Sequence, residues 1–281
     1  MKLFLIRHAE TVHNVGQVWA GTTDSALTNH GILQIECLAR QFSTTPVYMN
    51  TVFSSDLSRA RLTAEGICRL QPPTPVGIPL TPILTPDLRE KDFGSLEGLR
   101  WDSSNVPGDG TARSHGGSAS SHIESESTAS MRRRMTGFLN AYLLPLLFDA
   151  PNSERNVAVV SHGIILRVLW NCLVELIDPM NISIASGVSS WNGGPADLIV
   201  PNWSNTGFLN LLLEPQAAEP ATHTSPSNSG KSTTTLLHGW SMKILAINSR
   251  DHLTNLRRTR GGIGSATHDT RQKRIDHFFK R

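Results

Sequence analysis

Two short, unbroken apolar runs, each ending in a histidine, constrain this chain more than any other feature. Leu3-Phe4-Leu5-Ile6 leads into Arg7-His8-Ala9-Glu10-Thr11, and Val157-Ala158-Val159-Val160 leads into Ser161-His162-Gly163. A run that is apolar at every position reads as a strand buried on both faces, and such strands belong to parallel sheets covered by helices. In open sheets of this kind ligands gather at the carboxyl ends of the strands, so each polar exit points into a crevice and not into the core. Taken singly, a histidine at a strand end is more often structural or merely exposed than catalytic. Two of them at two strand ends suggest one shared site.

Other segments supply the remaining parts. Thr51–Ser55 reads as a short strand followed by a helix with Arg59 in its first turn, and the loop from Asp87 to Gly98 places a carboxylate among glycines after a proline-rich connector. Further strands fall near Gly207–Leu213 and Lys243–Ile247, and helical spacing covers Thr28–Phe42, Leu57–Arg69, Ser130–Leu147 and Ile164–Ile177. Alternation of the two element types predicts an α/β fold, a three-layer α/β/α sandwich with a mostly parallel central sheet. With 281 residues and 38% hydrophobic content the chain fills one large domain, expected over 1–256 with polar insertions near 102–130 and 214–235.

The ordered motifs Arg7-His8-x-Glu10-Thr11, Asn14, Gly21-x-x-Asp24-x-x-Leu27-Thr28-x-x-Gly31, Ser54-Ser55-x-Leu57-x-Arg59-Ala60-x-x-Thr63-Ala64, Leu88-x-Glu90, Phe93-Gly94-x-x-Glu97-Gly98 and Ser161-His162-Gly163 together resemble the histidine phosphatase superfamily, also called phosphoglycerate mutase-like. The resemblance runs from Leu5 to about Leu256. It implies a phosphoglycerate mutase-like fold and a phosphoric monoester hydrolase of the histidine acid type, in which His8 accepts the phosphoryl group. Arg7, Arg59 and His162 would bind the phosphate, and Glu90 would protonate the leaving oxygen. Elementary chemistry agrees with that cast. A transferring phosphoryl group spreads its charge over three equatorial oxygens, which planar guanidinium forks match better than an ammonium does. His8 must be neutral at the attacking nitrogen while Glu90 carries a proton, and these demands oppose each other with pH.

Several neighbours have competing structural roles. Asn14 either steadies the phosphate or caps the following turn. Arg61 and Arg89 read as solvated, Glu10 and Glu97 as loop-orienting, and Arg132-Arg133-Arg134 as solvated surface or an attractant for anions. Ala9 stands where the family most often has glycine, which asks for ordinary backbone dihedrals there. No cofactor and no metal are expected, because His8, His162 and Glu90 lack close ligand spacing and neighbouring arginines would repel a dication. Cys37, Cys68 and Cys172 lie in helical apolar patterns and read as small buried hydrophobes of a reducing compartment. The chain shows neither a hydrophobic leader nor a membrane-length apolar run, so a soluble cytoplasmic and/or nuclear protein is expected. Ser229-Gly230-Lys231-Ser232-Thr233 mimics the end of a nucleotide-binding loop but lacks the upstream glycine and a leading strand, so it is read as part of a polar insertion.

Charge singles out the C-terminus. Residues 250–281 carry nine basic and three acidic side chains, leaving the remaining chain at net −3 out of a total of +3. Beyond the expected hinge Gly261-Gly262-Ile263-Gly264-Ser265, the tail 257–281 contains Gln272, Ile275, Phe278 and Phe279 in the spacing of a PIP box, the motif that docks proteins on the sliding clamp PCNA. One tight helical turn would bring Ile275, Phe278 and Phe279 to one face as an apolar plug. The plain alternative is a C-terminal helix folded back on the body. No direct nucleic-acid contact is expected, since no other segment supplies a basic groove. Two function classes follow: a metal-independent phosphatase acting on a small phosphomonoester or phosphoprotein through a phosphohistidine, with mutase activity as its near variant, and a non-catalytic phosphoryl-binding adaptor docked on the clamp. The segment 102–130 lacks the arginine-rich pattern associated with glycolytic mutases, which weakens the mutase variant.

Overall fold

The computed structural model describes residues 1–44, 48–74, 76–101, 124–149, 154–188, 201–216, 237–259 and 262–269. In chain order they form β1 (Lys2–Arg7), α1 (Val12–Gly16), α2 (Asn29–Thr44), β2 (Thr51–Ser55), α3 (Ser58–Arg69), β3 (Ile83–Thr85), α4 (Thr128–Phe138), α5 (Leu144–Asp149), β4 (Asn156–Ser161), α6 (Gly163–Val174), β5 (Ile182–Ile184), β6 (Phe208–Pro215) and β7 (Trp240–Ser249). The strands make one seven-stranded sheet in the order β3-β2-β4-β1-β6-β7-β5. Pairings β1–β4, β2–β4, β2–β3 and β5–β7 are parallel, whereas β6 runs antiparallel to both β1 and β7.

The doubly apolar runs explain the layers. Side chains alternate across a strand, so Leu3 and Leu5 of β1 join Val157 and Val159 of β4 on one face. There they pack against Met131, Met135 and Phe138 of α4 and Ile165, Leu169 and Leu173 of α6. Phe4, Ile6, Ala158 and Val160 face the other way, onto Leu38 and Phe42 of α2 and Ala60, Ala64 and Ile67 of α3. The expected three-layer α/β/α sandwich with a mostly parallel sheet is what forms.

Three local expectations are corrected, and two short strands are additions to them. The short strands β3 and β5 escape a sequence reading: in β3 Ile83 and Leu84 are exposed and only Thr85 is buried, and in β5 the alternation Ile182-Ser183-Ile184 spans only three residues. The helix expected over Ser130–Leu147 is α4 and α5 joined by one wide π turn at Leu139–Leu143. Pro145 supplies the reason, since it has no N–H to donate and its ring would crowd the carbonyl four residues back. The Arg132–Arg134 run is not merely solvated: Arg132 pairs with Glu175 and Arg134 with Glu126. The tail's first part is also not a free hinge. Residues 263–265 form a tight turn, Asn29 Nδ2 donates to Ile263 O (2.9 Å), His268 N donates to Leu27 O (2.9 Å), and Thr267 bridges to Thr28. These bonds lay residues 262–269 against the start of α2. The segments 102–123 and 217–236 and the Gln272–Phe279 motif lie outside the described residues.

Candidate active site

The carboxyl ends of β1, β2 and β4 converge on a cleft of about 290 Å³, and its lining includes Arg7, His8, Arg59 and Glu90. β1 and β4 pair in register from Lys2–Asn156 to Arg7–Ser161, so the residues that follow, His8 and His162, emerge side by side. Their rings lie 5.0 Å apart between centroids, inclined by 58°. Arg59 arrives from the first turn of α3, whose start is held by Asp24: Ser58 N donates to Asp24 Oδ1 at 2.8 Å.

His8 is fixed in one orientation. Its Nδ1 lies 2.7 Å from the carbonyl oxygen of Ala9, so Nδ1 carries the proton and donates, leaving the Nε2 lone pair available. Burial, followed by the charges of Arg59 and Arg7, holds the imidazole well below its usual range, with the Ala9 carbonyl opposing in part. His162 is likewise pushed down, by burial and then by Arg59, His8, Arg7 and Arg134. Arg59 Nε donates to His162 Nδ1 (3.2 Å), so the His162 proton sits on Nε2 and is donated to Ser55 Oγ (2.9 Å). Both histidines are thus neutral, each in a tautomer dictated by its neighbours.

The arginines are positioned through backbone carbonyls. Arg59 is 2% exposed and donates to Thr23 O (2.8 Å) and Gly21 O (2.6 Å). Arg7 donates to Trp203 O (2.8 Å), while its buried Nε has no partner among the described residues. Burial lowers both guanidinium pKa values, and the nearby Glu90 charge partly restores them. Gly163 opens α6 beside Arg7, where an added Cβ would lie 3.9 Å from Arg7 Nε.

Glu90 faces the start of α6. Its carboxylate accepts from Lys91 N (2.9 Å), Ile165 N (3.1 Å) and Ile164 N (3.2 Å), meeting N–H groups that a helix leaves unpaired at its first turn. Arg134, from the run read as surface, holds this loop by donating to the carbonyls of Asp87, Arg89 (2.8 Å) and Glu90 (3.2 Å). Arg89 is bidentate to Asp56, with contacts of 2.7 and 2.6 Å, and Arg61 makes an exposed pair with Glu65. Asn14 lines the cleft, yet its Oδ1 closes a reciprocal cap with Thr11 and accepts from Asn205 Nδ2 (3.0 Å). Its Oδ1 is thereby committed to capping, while the residue itself stays on the cleft wall.

Glu97 is a further organiser. It accepts from the backbone N–H groups of Thr22 (2.8 Å), Thr23 (2.9 Å) and Phe93 (3.2 Å) and from both threonine hydroxyls. Burial would raise its pKa, but these hydrogen bonds outweigh burial and hold it below the usual carboxylate range. Because Thr23 and Gly21 supply the carbonyls that grip Arg59, Glu97 positions that arginine at one remove. Residues not anticipated from sequence also line the cleft: Trp19, Phe93, Trp101, Arg167, Asn202 and Trp203. Among the described residues there is no cluster of three or more potential metal-ligating side chains, and no helix is long and apolar enough to cross a membrane.

Two histidines and two arginines thus converge at the carboxyl ends of β1, β2 and β4. The sequence model for the histidine phosphatase superfamily (branch 1) matches residues 3–184, and the chain belongs to that family as a phosphatase-type enzyme. It is 29% identical over 278 residues to the Probable phosphatase C1620.13 of Schizosaccharomyces pombe, covering 98% of this chain and 78% of that protein. The Probable phosphoglycerate mutase GpmB of Cronobacter sakazakii is 33% identical over 179 residues, 63% of this chain and 74% of that protein. Among solved structures, Mycobacterial hydrolase 1 superposes with a TM-score of 0.57 at 21% identity, covering 88% of this chain and 98% of that one, a likeness of fold.

Proposed function

We propose that the protein is a metal-independent phosphatase that hydrolyses phosphomonoesters through a phosphohistidine on His8. The observation that carries this reading is the His8 tautomer: Nδ1 is spent on the Ala9 carbonyl, so Nε2 holds the lone pair, at a ring kept neutral between two arginines. In the first step the Nε2 lone pair attacks phosphorus, the ester P–O bond breaks, and the leaving oxygen takes a proton from Glu90. A protonated Glu90 donates where it now accepts, so it gives up one of its contacts to the start of α6 in that step. In the second step water attacks the phosphohistidine, the P–N bond breaks, Glu90 recovers the proton, and inorganic phosphate leaves.

Arg7 and Arg59 supply the charge for the equatorial oxygens through N–H groups not committed to carbonyls, and the neutral His162 keeps Arg59 in place. A phosphatase is favoured over a mutase because a mutase must retain a phosphorylated intermediate and return the group. Among the described residues, Arg167 is the one arginine lining the cleft outside the Arg7–Arg59 clamp to meet a second anion.

The test is phosphate release from a panel of phosphomonoesters in EDTA, comparing the wild-type chain with His8→Ala. Expected is turnover indifferent to EDTA and reduced to background in the variant. Turnover that survives His8→Ala refutes the phosphohistidine. Isomerisation of phosphoglycerate outpacing phosphate release assigns the mutase variant instead.

A further inference from the structure

The cleft has two chemically different halves. One is the cationic floor formed by Arg7, His8 and Arg59; the other is a wall of aromatic rings that belongs to neither face of the sheet's core. Residues 17–19 and 98–101 pair as a short ribbon: Trp19 N donates to Leu99 O (2.9 Å), Gly98 N to Trp19 O (2.8 Å), Trp101 N to Gln17 O (2.9 Å), and Val18 bridges to Arg100. This ribbon places the Trp19 ring 4.4 Å from Phe93 and 5.8 Å from Trp101, centroid to centroid, and all three rings line the cleft. Glu97 fixes the base of the arrangement through Phe93 N and Thr22 N.

Such a wall is costly unless something covers it. Trp101 is 49% exposed, so a large apolar ring is held half in water by backbone hydrogen bonds and not by core packing. Ring faces accept a flat apolar group in offset or edge-on contact, which adds to the gain from burial alone.

Resting on the phosphatase reading above, we propose that the wall of Trp19, Phe93 and Trp101 selects the organic half of the substrate, and that this half is a small flat aromatic group close to the ester oxygen. The cleft volume of about 290 Å³ suits a small ester. The preformed ribbon means that the binding surface needs little ordering when substrate arrives.

The experiment compares kcat/KM for 2-phenylethyl phosphate and ethyl phosphate, esters whose leaving oxygens are alike, so their ratio reads contact with the wall and not leaving-group chemistry. Expected is a ratio of about tenfold or more in the wild-type chain. That ratio should collapse toward one in Trp101→Ala and Trp19→Ala and be largely kept in Trp101→Phe. A wild-type ratio near one, or an undiminished ratio in both alanine variants, overturns the proposal. If neither ester is turned over, the phosphatase reading fails separately. Fluorescence titration with phenylphosphonate and methylphosphonate then decides the wall: about tenfold tighter binding of the phenyl compound, lost in Trp101→Ala, supports it, and equal binding sinks it.

Discussion

At the scale of single residues, the site depends on which protons are held where. His8 is kept neutral by burial and by Arg59 and Arg7, all acting in one direction, so its pKa in the folded chain lies well below that of an exposed histidine. The proposed nucleophile needs the neutral form, and a lowered pKa preserves that form as the pH falls through the ordinary value of about 6.5. We therefore expect kcat/KM, corrected for the ionisation of the substrate phosphate, to show no fall from neutral pH down past about 6.5. A pH–rate profile with a protonation step near the ordinary histidine value would contradict the buried, doubly repelled ring. The same depression has a stability consequence. His8 and His162 take up protons more readily when unfolded, so their contribution is complete above the unfolded value and is lost progressively as the pH drops below it. Much of this site was legible in the sequence because Arg7, His8, Arg59, Glu90 and His162 each lie in a local motif. Glu97 was readable as a loop-orienting residue, as its bonds to Thr22, Thr23 and Phe93 bear out, but which loop it holds was not, and neither was the role of Arg134. Their partners, Thr22 and Thr23 for one and the Asp87–Glu90 carbonyls for the other, are 44 to 75 residues away, and a side chain's distant partner leaves no trace in its own neighbourhood.

Among elements, legibility followed burial. Strands buried on both faces, β1 and β4, carry unbroken apolar runs between their polar ends and could be read directly, whereas the edge strands β3 and β5 are three residues long, too short for a period to stand out. Helix α3 deserves its sequence pattern for a second reason, because it carries Arg59 and must also approach α2 closely. The approach is made at Gly66, where an added Cβ would fall 2.1 Å from Ile35 Cγ2 of α2. Gly66→Ala should therefore destabilise the fold by about 1–3 kcal/mol, the usual cost of overfilling a packed interface, even though alanine is the better helix former. Urea denaturation tests this, and the partner can be identified by a double-mutant cycle. Ile35→Ala removes the clashing methyl, so its own cost should shrink in the Gly66→Ala background. Strict additivity of the two changes would place the strain elsewhere.

For the whole molecule, the chain's basic end meets its catalytic end. Arg258 pairs with Glu10, two residues after His8, and Glu10 also accepts from Thr28 Oγ1 (2.8 Å) at the start of α2. With residues 262–269 laid along the same helix start, the anchored part of the tail extends to about Asp269. The Gln272, Ile275, Phe278 and Phe279 motif therefore begins only a few residues beyond a fixed point on the body. A long flexible tether would let a docked phosphatase sample a wide volume, whereas a short one would hold its cleft near whatever the motif binds. We propose the sliding clamp PCNA as that partner, on the spacing of these four residues. Titrating the full-length chain with PCNA by calorimetry should show saturable binding that Phe278→Ala combined with Phe279→Ala abolishes, because the two rings form most of the apolar plug. The same double variant should keep its full kcat/KM on a small phosphomonoester, since the motif lies beyond the residues that anchor the tail near Glu10. Absence of binding at high micromolar clamp, or binding that ignores both phenylalanines, would leave the motif a chance pattern in a basic tail. Loss of activity in the double variant would instead tie the last residues to the body, as the fold-back alternative requires.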